Sequence, residues 1–261
     1  MTMPEIWVVI AAVFLALAAV AGSLAMSRVR GPWDVVAIGA RVVALAFLIV
    51  ALTALAILQG RWMAMEPMPA MLGLVMAMLA GHLVLAWRVG AGSAGPVVDI
   101  VALALSLLIV MAFEGSAQVL ACVLQSPLLQ VYWVLFWLGG GSVLVACSAG
   151  LMIAVRNLLV WRGMAPRLRR RVLVYDLLAQ ATILGLVALG SGLIISGWWA
   201  WRTSGVLGDG NPRQVWMAIA WLITATSLLA WQLDGRRVRW AAGLALAASA
   251  AVLAGMLFPV A

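Results

Sequence analysis

ATILGLVALGSGLIISGWWAWRTSGVLGDGNPRQVW, residues 181–216, decides the fold. From Ala181 to Ala200 there is no charged side chain, and a helix needs about 20 such residues to cross a bilayer. Trp198, Trp199 and Trp201 close the run, where an amphipathic indole would meet the headgroup layer. Arg202, Gly205, Gly208, Asp209 and Gly210 then break it, and the Asn211-Pro212 step opens the next helix. The same grammar of apolar run, aromatic or arginine edge, glycine-rich break and new run recurs along the chain.

Eight spans follow, at 4–27, 33–59, 67–88, 96–113, 127–155, 172–200, 212–233 and 238–258. Composition agrees. Of 261 residues 67% are hydrophobic and 9% charged, with a mean hydropathy of +1.17, whereas a soluble domain carries roughly a quarter of its residues as charges. A water-soluble fold is excluded, and the chain reads as one transmembrane domain over 1–261, all-α and polytopic. The first run has no basic segment before it, so it is expected to be a retained helix rather than a cleaved signal peptide.

The net charge of +8 comes from 16 basic residues, all arginine. Nucleic acid is not the implied partner, because the arginines stand between apolar runs, where a bilayer protein sets its orientation. Eight crossings put both termini on one side. The opposite side then holds Arg28, Arg30, Arg88, Arg156, Arg162, Arg167, Arg169, Arg170, Arg171, Arg236, Arg237 and Arg239, against Arg61, Arg202 and Arg213 on the side of the termini. By the positive-inside rule both termini are expected outside, facing the periplasm or cell exterior, and the membrane is expected to be a bacterial inner (plasma) membrane.

Few residues offer chemistry. Arg41 lies inside a span; snorkelling is the favoured reading, with Asp34 seven residues earlier on the same face, and Asp99 and Asp176 as further partners. His82 is the only histidine. It reads first as a helix-packing side chain with its hydrogen bonds satisfied and second as a metal or haem ligand, since bis-histidine ligation needs two imidazoles. The methionines at 63, 65, 68, 71, 76 and 78 read as flexible packers. Cys122 and Cys147 have no metal spacing, and a disulfide requires them to lie at one depth. No nucleotide loop and no Ser/His/Asp arrangement appears, which excludes an ordinary kinase or hydrolase. An ordinary aromatic belt accounts for most tryptophans, but not for the crowding at 198–201. The loop 202–216 could lie across the membrane surface as an aromatic shelf for a flat hydrophobic ligand or a partner; a plain reverse turn is the other reading.

On these residues the chain resembles the cytochrome c assembly family, the CcsA/ResC and CcmC type of haem-handling membrane proteins, over about residues 60–250. Gly185, Gly192 and Trp199 lead into a loop where Gly205, Asn211, Pro212, Arg213, Gln214, Trp216 and Trp221 fall on that family's tryptophan-rich pattern. LQSPLLQVYW, 124–133, is similar to the family's entry to an earlier helix, and GRWMAMEPMP, 60–69, is a third match. The departures concern ligands. Of the family's haem-ligating histidines, the first external one falls on Tyr132, the second beyond Ala261, and the embedded one on Leu229. Loop tryptophans are replaced by Ser204, Gly208 and Gly210, and the aspartate before proline is Asn211.

The resemblance implies haem as cofactor, held by Trp198, Trp199, Trp201, Trp216, Tyr132, Asn211 and Pro212, with other membrane subunits, ResB-like or of a larger complex, as partners. Two functional readings remain. One is a divergent cytochrome c biogenesis protein that presents haem at the outer face, with any axial ligand supplied by a partner. The other is a non-catalytic structural or assembly subunit of a respiratory or photosynthetic complex on the same scaffold. A transporter is a third, but neither paired broken helices nor an acidic midplane site supports it.

Overall fold

The computed structural model describes residues 3–27, 33–59, 67–89, 94–112, 127–161, 171–205, 212–233 and 238–257. These form eight helices: α1 (Met3–Ser27), α2 (Trp33–Gln59), α3 (Pro67–Val89), α4 (Gly95–Ala112), α5 (Pro127–Trp161), α6 (Arg171–Ser204), α7 (Pro212–Leu233) and α8 (Val238–Leu257). The all-α, multi-pass architecture is as the apolar runs require. Among the described residues six helices are long and apolar enough to cross a membrane. The apolar parts of α4 and α8, Gly95–Met111 and Trp240–Met256, are shorter, roughly 25 Å of helix each.

α5 and α6 outrun the expected spans. At 35 and 34 residues each is about 50 Å long, against a hydrocarbon layer of ~30 Å. The expected spans stop at 155 and 200, just before Arg156 and Arg202, yet an arginine is a good helix former, so the hydrogen-bonded ladder continues past both.

Neighbouring helices run antiparallel, as paired contacts at both ends show. Trp7 and Phe14 of α1 both stack on Phe47 of α2, with centroids 5.7 Å apart. At the far end of these helices Gly22 faces the Arg41 guanidinium and Pro96 of α4. In the second half α6 is tied to α7 by the Trp221 indole N–H, which donates to the Leu186 carbonyl at 3.1 Å. The Ser227 hydroxyl of α7 donates to the Ala241 carbonyl of α8 at 2.9 Å. The end holding the start of α5 and α7 and the close of α6 and α8 is called the upper end below, and the opposite one the lower end.

α5 is the central helix, and its glycine triplet explains how. A Cβ on Gly139 would meet Leu189 of α6, one on Gly140 would meet Leu74 of α3 and Val252 of α8, and one on Gly141 would meet Ala77 and Met78 of α3. Three successive residues point about 100° apart on a helix, so the three absent side chains admit three neighbours at one level. Lipid gives helices no hydrophobic reason to associate, and close backbone approach through small residues supplies the dispersion contact instead. Gly73 of α3 likewise seats the Trp137 ring of α5. The α3–α5 seam is parallel, and it joins the first four helices to the last four.

The expectation for Arg41 is corrected. It neither snorkels nor pairs with Asp34: its side chain is buried, and Nε and Nη2 donate to the two Asp99 carboxylate oxygens at 2.7 and 2.8 Å. Asp34 is exposed. A charge that is both paired and hydrogen-bonded can remain inside. The fork fits because Gly95 leaves the space where the guanidinium lies. Cys147 is a free, buried thiol on α5, and Cys122 lies outside the described residues.

Candidate functional site

At the upper end the first turns of α5 bring three aromatic rings together. Tyr132 and Trp133 meet edge-on at 5.4 Å, Trp133 and Phe136 at 5.5 Å, and Tyr132 and Phe136 lie tilted at 6.0 Å. All three are buried. Their edge-to-face geometry places positive ring edges against negative faces, the favoured arrangement for aromatic pairs.

Arg213 closes this cluster. Although it stands at the second residue of α7, next to the loop, its side chain is only 2% exposed. The guanidinium carbon lies 5.1 Å from the centre of the Trp133 ring, and Nε donates to the Gly255 carbonyl at 3.1 Å. Gly255 belongs to the last turn of α8, whose final carbonyls have no helical partner, so Arg213 caps α8 with a charge of the sign its dipole favours. Gly255 also makes the approach feasible, because a Cβ there would press on Met217 and Trp216. Beside it, the Gln214 amide donates to Ser196 Oγ of α6 at 2.6 Å. The upper ends of α5, α6, α7 and α8 are thereby tied through two consecutive residues.

The tryptophans expected to form one shelf fall into separate groups. Trp198 and Trp201 are 41% and 55% exposed, three residues apart and so near one another in azimuth on α6. Trp199, half-buried, points to another side of α6, and Trp216, also half-buried, lies on α7 against Gly255. Pro212 is exposed as the first residue of α7. Asn211 lies outside the described residues, as do Gly208 and Gly210. Leu229 is 56% exposed on α7, so a ligating side chain there would face away from the bundle interior.

His82 occupies the opposite end of the bundle. It is fully buried on α3, as a packing residue would be, but the expectation of satisfied hydrogen bonds is wrong: neither Nδ1 nor Nε2 has a partner among the described residues. Leaving such a group unmet in an apolar interior costs about 1–3 kcal/mol. Among the described residues no group of three or more His, Cys, Asp and Glu could hold a metal ion.

These positions test the fit to haem. The upper end supplies the exposed indoles of Trp198 and Trp201 and the exposed guanidinium of Arg202, while Tyr132 and Arg213 are buried. It supplies no imidazole, because the chain's single histidine is elsewhere. Bis-histidine ligation by this chain alone does not fit.

Comparison with solved structures finds the architecture elsewhere. It matches cytochrome c heme lyase CcmF. The TM-score is 0.72 at 17% sequence identity, and the match covers 100% of this chain and 48% of that one. The chain thus spans about half the length of that relative, and what is shared at this identity is the fold. No protein-family model and no curated protein matches the sequence. The sequence marks Arg213 only as an arginine on the side of the termini and as a position in the loop pattern, and it singles out neither Trp133 nor Phe136. The signal available was the helix-opening proline: Pro212 fixes Arg213 in the first turn of α7, where a side chain can turn toward the start of α5.

A comparison of two cation–π contacts separates structure from ornament. Arg202 lies over Trp198 at 5.0 Å, almost the distance of Arg213 over Trp133, but both partners of the first pair are exposed. Arg202→Ala is expected to change stability by less than about 0.5 kcal/mol. Arg213→Ala removes a desolvated stack and a charged hydrogen bond, and should cost roughly 2–3 kcal/mol. Thermal unfolding of the two variants in one detergent, followed by tryptophan fluorescence, reads the difference.

Proposed function

We propose that the chain is a divergent haem-handling protein of the cytochrome c biogenesis type, close in plan to CcsA and CcmC, lying in a bacterial inner membrane with the upper end toward the periplasm. The likeness in fold to CcmF, together with Trp198 and Trp201 exposed on the closing turns of α6, carries this reading. Trp198 and Trp201 would offer the flat surface, with Trp199, Trp216, Tyr132, Asn211 and Pro212 proposed only as further positions toward the same end. Arg213 braces the helix ends beneath. Axial ligation would come from a partner subunit, because this chain has no imidazole at that end. When bound, haem would supply the iron; the chain's residues would orient the macrocycle and exclude water from one face.

A visible spectrum of the purified protein, oxidised and reduced, tests this. A Soret band with a reduced α-band at near-stoichiometric level is expected from protein purified with its partner. Trp198→Ala/Trp201→Ala should lower occupancy several-fold, and His82→Ala should leave the spectrum unchanged. Tyr132→Phe distinguishes a phenolate ligand from a partner's.

The loss of histidines favours a second reading, a non-catalytic subunit of a larger respiratory, photosynthetic or assembly complex on the same scaffold. Its mark would be absence of haem bands together with tight co-purification of other membrane subunits.

A further inference from the structure

The lower half of the first four helices contains a polar group that the reading above does not use. His82 stands seven residues before the end of α3, Arg41 eight residues into α2, and Asp99 four residues into α4, so all three lie at roughly 6–12 Å from the lower helix ends. Each is buried. Arg41 and Asp99 satisfy one another through two hydrogen bonds, and their helices α2 and α4 both pack against α3. His82 itself shares its face of α3 with Val75, Met78, Leu79 and Leu85, none of which offers a hydrogen bond.

An imidazole always carries at least one N–H donor, and in its neutral form one bare nitrogen acceptor. Packing against hydrocarbon satisfies neither. An ion pair beside it raises the local polarity, and each Asp99 oxygen retains a lone pair beyond the one Arg41 uses. Water is the molecule that fits these demands: it donates and accepts at once, binds where two to four polar partners converge, and enters sites too small for a larger ligand. Buried water is common at such orphaned polar groups and rare in apolar cavities.

We propose that His82, with the Arg41–Asp99 pair beside it, forms a hydrated site inside the membrane, in which bound water hydrogen-bonds the imidazole. The juxtaposition gives the imidazole a partner and keeps the ion pair solvated on one side.

The chain's composition makes the test direct, because His82 is the only histidine. Full-length protein labelled with 15N-histidine and placed in lipid nanodiscs gives imidazole signals that need no assignment. Magnetisation transfer from water to a ring N–H is expected, together with exchange of that proton in D2O within hours. In Arg41→Met/Asp99→Leu the transfer should fall several-fold. A ring N–H in the unsubstituted protein that receives nothing from water and survives in D2O for days overturns the proposal. So does a scalar coupling placing that N–H on a protein carbonyl. Neither result depends on haem, so the site stands or fails separately from the function proposed above.

Discussion

Asp99→Ala is expected to destabilise the protein by about 3–5 kcal/mol, because it leaves the Arg41 guanidinium buried without its counter-charge. Removing the other partner should cost less. A stranded aspartic acid has a neutral form available, whereas a guanidinium has none at any accessible pH, and Arg41→Met also places an apolar side chain where the charge had been. The double variant Arg41→Met/Asp99→Leu removes both charges and fills the space, and it is expected to be near neutral or more stable than the unsubstituted protein by up to ~4 kcal/mol. Reversible unfolding in mixed micelles, run as a double-mutant cycle, measures all four proteins. A double variant whose cost equals the sum of the two single costs would show that the pair contributes nothing specific between α2 and α4.

The glycine triplet of α5 yields the second large effect, and its order is the informative part. A Cβ at Gly141 would stand 2.6 Å from the Met78 backbone nitrogen and 2.7 Å from the Ala77 carbonyl carbon. At Gly139 it would stand 2.8 Å from the Leu189 backbone nitrogen. Backbone in a packed helix cannot yield locally, so Gly139→Ala and Gly141→Ala should each cost about 1–3 kcal/mol or more. At Gly140 the obstacles are Leu74 Cδ1 at 2.6 Å and Val252 Cγ1 at 3.1 Å, side-chain tips that can rotate. Gly140→Ala should therefore cost under about 1 kcal/mol. Gly81→Ala, with nothing within 4 Å of the new carbon, is the control. Comparable losses at Gly139, Gly140 and Gly141 would contradict the packing described for α3, α5 and α6.

The particular residues show how much of this could be read from the chain. The eight runs were legible because one helix needs one long apolar stretch and the breaks carry Gly, Pro and Arg. Helix ends were less so: polarity marks where lipid stops, not where the backbone ladder stops, and α5 continues through Arg156 to Trp161. Asp34 looks the natural partner of Arg41 since spacing along one helix is visible in sequence, while the nearness of Asp99 is created by the packing of α1 against both α2 and α4. The aromatic shelf was partly legible for the same reason. Sequence places four tryptophans near one loop, but the rotation of α6 and α7 about their axes decides which directions they face. The burial of Arg213 lay out of reach, as it depends on the last turn of α8, more than forty residues away.

The two longest helices carry one more consequence. α5 and α6 pack together as a pair over much of their length, and each exceeds the thickness of the lipid core by roughly 20 Å. Unless steep tilt absorbs the surplus, a stiff double rod stands proud of the bilayer as a fin. In electron micrographs of so small a particle, otherwise featureless within its detergent belt, that fin would mark orientation and give image alignment something to grip.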